Sequence, residues 1–309
     1  MTLLSVHLIT YNNEQHIEDT LQSILKQKVD FEYEIVVGDD CSTDNTLSII
    51  NNYAATHSDL FKIHKNDIQQ GILKNFKATL DRCSGTFIFD IAGDDMLKTN
   101  HALQKMVNVL NNDSKLGFVD SGFDSFYENT SRTIPFKNEP IINRSKYTYK
   151  EALLLGKIAP IGHCYRSEYL TKYVDFNAYL NMKITIEDYP ILVDMVMNTD
   201  FERINESLVV YRVHDKSFSH EKVFKKQYFL ANQMKNLFEY FSEKYNFDTS
   251  LIENFNKTHY NQLLFYAGYF QNKNLGKEIF SKIKSKSIKD YIHYWASQNK
   301  VFRKLVSIF

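Results

Sequence analysis

Val36-Val37-Gly38-Asp39-Asp40-Cys41-Ser42-Thr43-Asp44-Asn45-Thr46 decides how this chain is read. An apolar strand ends there on two adjacent carboxylates and runs into a Ser/Thr/Asp cluster of the kind that opens helices. In open α/β sheets ligands settle at the carboxyl ends of strands, where side chains leave the sheet and helix N-termini present free N–H groups. Asp39 and Asp40 can accept from the N–H edge of a base or from ribose hydroxyls. The plainer alternative is a strand-turn-helix corner in which Asp40, Ser42 or Thr43 only caps the next helix.

Three further sites follow in an order that favours the first reading. Thr86-Phe87-Ile88-Phe89-Asp90-Ile91 reads as a buried strand that runs into Ala92-Gly93-Asp94-Asp95, a second acid pair at a strand end. Hard oxygen ligands of this kind suit Mg²⁺ or Mn²⁺ bridging to a diphosphate. Ile186-Glu187-Asp188-Tyr189-Pro190 opens an apolar-periodic helix (Ile191, Leu192, Met195, Val196), with Pro190 in the first turn, where its missing N–H costs little. Acids in that position can also serve only the helix dipole. Residues 208–214 read as a strand that delivers Arg212 and His214 in alternation to one face.

The first half alternates strand and helix. Strands are expected at 3–9, 34–37, 61–64 and 86–91, and helical spacing recurs at Ile17, Leu21, Ile24, Leu25 and at Leu47, Ile50, Tyr53, Ala54. That alternation predicts an α/β fold whose mostly parallel sheet is flanked by helices on both faces. A helix over 100–111 and a strand over 116–121 follow; 123–146 reads as a long polar loop of the sort that shapes an acceptor site. Thr148 and Glu151 form a capping box for a short helix. Beyond about residue 218 the texture turns helical and aromatic, with Phe224, Tyr228, Leu237, Phe238 and Phe241 near helical spacing, which divides the chain into an α/β domain (1–218) and a helical C-terminal extension (219–309).

Composition sets bounds. A chain of 309 residues with 43% hydrophobic side chains sustains a real core. Its 37 basic and 37 acidic residues give no global field that recommends nucleic acid as a partner. Cys41, Cys83 and Cys164 are scattered without CxxC spacing, which argues against a disulfide framework and fits a reducing compartment. No apolar run approaches the length of a membrane span, so a cytoplasmic protein is expected. Residues 281–309 are basic and carry Tyr291, Tyr294 and Trp295, compatible with peripheral contact at the inner face of a membrane or with a solvated cationic face. The ten glycines include no GxGxxG and no P-loop, against a nicotinamide dehydrogenase. His220-Glu221 has Phe224 where a zinc hydrolase needs its partner His. Paired carboxylates leave a glycosidase open on chemistry alone.

Taken together, Tyr11-Asn12-Asn13-Glu14, the 38–46 corner, Gly93-Asp94-Asp95, Glu187-Asp188 and Tyr211-Arg212-Val213-His214 resemble the family 2 glycosyltransferases with the GT-A fold, over about residues 2–218. The resemblance implies a Rossmann-like sheet and inverting transfer of a sugar from a nucleotide-sugar donor, UDP-sugar favoured, to a hydroxyl. A saccharide or lipid-linked acceptor in bacterial cell-surface polysaccharide or glycolipid synthesis is the implied setting. It assigns nucleotide contacts to Thr10, Tyr11, Asn13, Asp39 and Asp40, with Lys74 adding positive charge near the diphosphate. Asp94 and His214 would hold a divalent cation, Mn²⁺ or Mg²⁺, and Asp188 would be the base. At an ordinary carboxylate pKa Asp188 is ionised at neutral pH. Asp95, Glu187, Arg212 and His163, the last on a strand expected beneath the acceptor, complete the implied site.

One position departs from the pattern. Ala92 stands where the family's Asp-x-Asp turn begins with an acid, and Asp90, two residues upstream on a strand, has a different reach. The departure motivates an alternative: a non-catalytic sugar-nucleotide-binding or assembly subunit of the same fold.

Overall fold

The computed structural model describes residues 2–137, 146–215 and 223–303. Part of the 123–146 segment, the His220-Glu221 pair and the end of the basic tail lie outside the described residues.

Strand and helix alternate from the start: β1 (Leu4–Thr10), α1 (Ile17–Leu25), β2 (Tyr33–Asp39), α2 (Thr46–Thr56), β3 (Phe61–Lys65), α3 (Ile72–Leu80) and β4 (Phe87–Ala92). There follow β5 (Met96–Leu97), α4 (Ala102–Asn112), β6 (Leu116–Tyr127), β7 (Arg132–Ile134), α5 (Lys146–Leu154), β8 (Cys164–Arg166), α6 (Ser167–Tyr173), α7 (Phe176–Asn181), α8 (Asp188–Asn198) and β9 (Asp200–Val213). The sheet runs β3-β2-β1-β4-β8-β6-β9-β5, with β7 added beside β6. Its first four strands are parallel, and Thr10 pairs with Asp39 while Ile9 pairs with Ala92. Three strand ends therefore open on one edge, carrying the Thr10, Asp39 and Gly93 corners with them.

The sheet is mixed rather than mostly parallel throughout. β8 runs antiparallel to both β4 and β6, β6 and β9 run parallel, and β5 and β7 add antiparallel edges. The parallel half is buried on both faces, one apolar and the other carrying Ser5 and His7 of β1. Leu4, Val6 and Leu8 of β1, Ile17, Leu21 and Ile24 of α1, and Leu103, Met106 and Leu110 of α4 are fully buried in one core. Each such side chain contributes about 1.5–3 kcal/mol relative to exposure, so the frame under the strand ends is rigid.

The expected loop from residue 123 is corrected at its start. β6 continues to Tyr127 because β9 supplies a partner for every residue from Phe123 (opposite Val209) to Tyr127 (opposite Val213), after register shifts around Gly122. Its Asp124 is satisfied from neighbouring segments: it meets Lys98 Nζ at 2.7 Å and accepts from the Phe136 N–H at 2.9 Å. Backbone pairing, rather than apolar alternation, makes this stretch a strand, and composition does not register it.

The chain divides into two compact units, Met1–Lys150 with Ile158–His214 and Glu151–Lys157 with Asp215–Phe309. The second is helical: α9 (Phe224–Tyr245), α10 (Thr249–Tyr269), α11 (Lys273–Lys282) and α12 (Ile288–Gln298). Asp248, Asn272 and Ser287 cap α10, α11 and α12 by accepting from backbone N–H groups, and Ser287 with Asp290 forms a full capping box. The aromatic stripe is core, with Phe238 stacked on Phe255 at 3.7 Å between centroids. Among the described residues no helix is long and apolar enough to cross a membrane.

Candidate active site

The first corner is locked by hydrogen bonds between loops. Asn12, in the left-handed region at φ 52°, donates its N–H to Ser42 Oγ at 2.9 Å and accepts the Thr43 N–H on Oδ1 at 2.8 Å. Asn13 donates from Nδ2 to Thr10 Oγ1 at 3.1 Å and from its backbone N–H to Thr46 Oγ1 at 2.7 Å. Gly93 packs so tightly on this pair that a Cβ would lie 2.5 Å from Thr10 Oγ1, so only glycine lets the β1 and β4 ends meet. Tyr11 projects outward at 39% exposure.

The two acids of the corner have different environments. Asp39 is fully buried; its Oδ1 accepts the Ser42 N–H at 2.9 Å, and among the described residues its Oδ2 has no hydrogen-bond partner. A buried carboxylate oxygen left unpaired is costly unless something else donates to it. Asp40 is the opposite case. Its Oδ1 takes the Gln70 N–H at 2.7 Å and Asn66 Nδ2 at 2.9 Å, and its Oδ2 takes the Gly71 N–H at 2.9 Å. Asp40 thus clasps the loop that enters α3 rather than capping α2, where Asp44 Oδ1 takes the Thr46 N–H instead. Lys74 is exposed on the first turn of α3, one turn beyond Gly71.

At the second corner Asp94 Oδ2 lies 3.0 Å from His214 Nε2, joining the end of β4 to the end of β9 across 120 residues of chain. Asp95 is buried and accepts the Arg212 N–H at 2.9 Å; burial, then the neighbouring Asp94 charge, hold its pKa well above the usual carboxylate range. The Arg212 guanidinium is spent inside the fold. It donates to the Asp94 carbonyl oxygen at 3.0 Å and to Asp19 Oδ2 at 2.7 Å, and it stands 3.5 Å from Glu128 Oε1. Asp90 is turned to His7, 2.8 Å from Nδ1, which is why it does not stand in for the acid missing at Ala92.

Glu187 and Asp188 sit at the start of α8, partly accessible but deep among protein atoms. The expectation of an ordinary pKa at Asp188 is corrected. Burial first, then the Asp90 charge, push it up, and Glu187 is raised further by burial and by Asp188. His163 is likewise not at an accessible surface. The residue before β8 enters the middle of the sheet, so His163 is buried against Phe118 with its Nε2 3.4 Å from Asp120, and burial lowers its pKa.

Residues outside the sequence reading also gather at the second corner. His16, buried at the start of α1, places Nε2 3.0 Å from Glu128 Oε1, and its ring lies 4.4 Å from that of His214. One donor atom each from His16, Glu128 and His214 falls within 4.8 Å of the others. The sole local signal was a histidine two residues beyond Glu14 in the first strand-end loop.

A sheet of this order, with acids at the ends of β2 and β4 and a further acid pair at a helix start, defines a GT-A type of nucleotide-sugar fold. The chain belongs to glycosyl transferase family 2, whose model matches residues 5–174. An uncharacterized protein of Mycobacterium tuberculosis is 34% identical over 107 residues, 35% of this chain and 31% of that protein. The poly(ribitol-phosphate) beta-N-acetylglucosaminyltransferase TarS of Staphylococcus aureus is 36% identical over 101 residues, 31% of this chain and 17% of TarS. These matches span a third or less of either relative's length. In three dimensions, TarS residues 1–349 in complex with UDP-GlcNAc align with a TM-score of 0.56 at 17% identity, covering 99% of this chain and 91% of that one. The mannosyltransferase PcManGT of Pyrobaculum calidifontis, in complex with GDP-Man and Mn²⁺, aligns at 0.59 and 14% identity, covering 99% and 86%. Both likenesses concern the fold.

Proposed function

We propose that the protein moves a sugar from a nucleoside diphosphate sugar, with UDP as the favoured nucleotide, onto a hydroxyl with inversion at the anomeric carbon. The observation that carries this reading is the buried Oδ2 of Asp39 at the β2 end, which has no partner among the described residues. An imide N–H of uracil is a donor suited to that oxygen, and Tyr11 offers an exposed ring beside it. Thr10 and Asn13 hold the loop that frames the base, and Lys74 on α3 can add positive charge toward the diphosphate. Asp40 is a clamp on the neighbouring loop.

Asp94 and His214 suit a divalent cation, because a carboxylate and an imidazole already converge at 3.0 Å. Such an ion, Mn²⁺ or Mg²⁺, would neutralise charge that develops on the leaving diphosphate. Arg212 holds Asp94 and Asp95 in place through its guanidinium and its N–H. Asp188 takes the proton of the attacking hydroxyl. Burial raises its pKa and so makes it a stronger base than a surface carboxylate. The relatives' names point to a cell-surface glycopolymer as acceptor, TarS being named for poly(ribitol-phosphate). A saccharide or lipid-linked acceptor met at the cytoplasmic face of a membrane fits that setting, and the exposed Tyr291 and Trp295 beside Lys289 on α12 offer peripheral contact.

The test is a titration of the full chain with UDP, GDP, dTDP and CMP, with and without Mn²⁺, read by thermal shift and followed by turnover of the matching sugar donors. Stabilisation by UDP above the others, and release of UDP from one donor sugar, are expected. Binding without turnover of any donor and acceptor would select the non-catalytic alternative.

A further inference from the structure

We propose that His16 and Glu128 complete the cation site at His214, so that the protein holds a transition-metal ion through three side chains, His16, Glu128 and His214, with Asp94 beside His214, before any nucleotide arrives. The inference rests on placing the ion at Asp94 and His214, and it adds what Ala92 withholds. Two donors each about 2.1 Å from one ion and at right angles stand about 3.0 Å apart. His16 Nε2 and Glu128 Oε1 are 3.0 Å apart, as are His214 Nε2 and Asp94 Oδ2. The two pairs are brought side by side by the 4.4 Å approach of the imidazole rings, and three of the donors share a 4.8 Å neighbourhood.

The surroundings match a metal centre in charge and in support. Glu128 and Asp94 supply two negative charges. Arg212 stands 3.5 Å from Glu128 Oε1 and donates to the Asp94 backbone carbonyl oxygen at 3.0 Å, and its own charge is offset by Asp19 at 2.7 Å. His16 is buried, so its ring is fixed by packing rather than chosen from solvent. Two imidazoles and a carboxylate, with the Asp94 carboxylate next to one of them, favour Mn²⁺, Co²⁺ or Zn²⁺ over Mg²⁺, which prefers an all-oxygen shell with several waters. An Asp-x-Asp turn reduced to one usable acid would then be offset from α1 and from the turn after β6, elements outside the turn itself.

The plainer account of the same contacts is an ion-pair cluster that ties α1 to the β6 end, and the experiment separates the two. Mn²⁺ alone is titrated into the full chain without nucleotide, with free Mn²⁺ read by electron paramagnetic resonance and bound Mn²⁺ by electron spin-echo modulation from coordinated nitrogen. One bound ion with two imidazole nitrogens is expected, with Zn²⁺ displacing it and equimolar Mg²⁺ not doing so. His16→Ala and Glu128→Gln should each weaken Mn²⁺ at least tenfold. A single imidazole in the wild-type spectrum, or Mn²⁺ affinity unchanged in both folded variants, overturns the proposal. The spectrum needs no variant, so a substitution that fails to fold does not spoil the test. UDP titrated into the same samples keeps the two readings apart. Two imidazoles with no UDP binding would sink the nucleotide-sugar reading and leave this site standing, whereas one imidazole with metal-assisted UDP binding would do the reverse.

Discussion

Asp40→Ala should cost about 4 kcal/mol of folding stability while disturbing UDP binding far less than a change at Asp39. Three donors lose their acceptor: Asn66 Nδ2, in a buried bond of 2.9 Å, and the partly buried N–H groups of Gln70 and Gly71 at 2.7 and 2.9 Å. A buried donor left unpaired costs about 1–3 kcal/mol, and the two N–H groups, which water can reach in part, about 0.5–1.5 kcal/mol each. The sum centres near about 4 kcal/mol, which for a domain of this size lowers Tm by roughly 8–16 °C. Calorimetry and urea unfolding measure the loss, and isothermal titration with UDP well below the lowered Tm measures the affinity. Asp39→Asn is the comparison: it removes the acceptor offered by Oδ2 and should weaken UDP by roughly tenfold or more with a smaller change in Tm. An Asp40→Ala protein that melts like the wild type but has lost UDP would refute the division of labour between these adjacent acids.

Asp188→Asn should lower turnover by about 10²–10⁴-fold, the usual worth of a positioned base, with UDP affinity preserved. In the wild type the acid limb of the rate profile should lie above the ordinary carboxylate value of about 4, because burial raises the Asp188 pKa; a limb near 4 would place the base elsewhere. Glu187→Gln should raise Tm at pH 7 and not at pH 4. A carboxyl whose folded pKa is raised adds stability below its unfolded pKa and loses it as pH rises through the folded one, so a neutral amide is spared that loss; equal Tm differences at both pH values would contradict it. Iodoacetamide should alkylate Cys41 in the native protein and spare the others, with UDP protecting it. Burial pushes the Cys83 thiol up to about 12 and raises that of the fully buried Cys164, so labelling of either at the Cys41 rate would count against the packing.

Sequence reading reaches furthest where chemistry and position are local. The apolar runs of β1 to β4 placed four strands, and the acids at their ends followed from the break in each run. It stopped short where pairing, not composition, defines the element. β2 continues through Asp39 because Thr10 lies opposite it, and β6 continues through Tyr127 because β9 does. The site shows the same division. Asp39 and Asp40 are neighbours in sequence and equal as residue types, yet among the described residues one keeps an oxygen without a partner while both oxygens of the other accept, from a loop some 30 residues on. His16 and Glu128 meet across 112 residues and Arg212 and Asp19 across 193, separations that no motif spans. The Asp188 pKa depends on burial, which a helix-start pattern does not encode.

The strand order has a consequence for how the protein is made. β9 lies between β6 and β5, so β5, synthesised early, has no sheet neighbour until residues 209 and 210 emerge. Asp95 waits for the Arg212 N–H across 117 residues, roughly 6–23 s at ordinary translation rates. During that interval the Asp39 corner, built from β1, β2 and the loop to α3, can already be assembled, while Asp94 and Asp95 still face water as free carboxylates. The corner proposed to take the base is thus complete before the one proposed to take the cation, and on that proposal a nucleotide captured on the nascent chain would stabilise β1 to β4 while the sheet awaits β9.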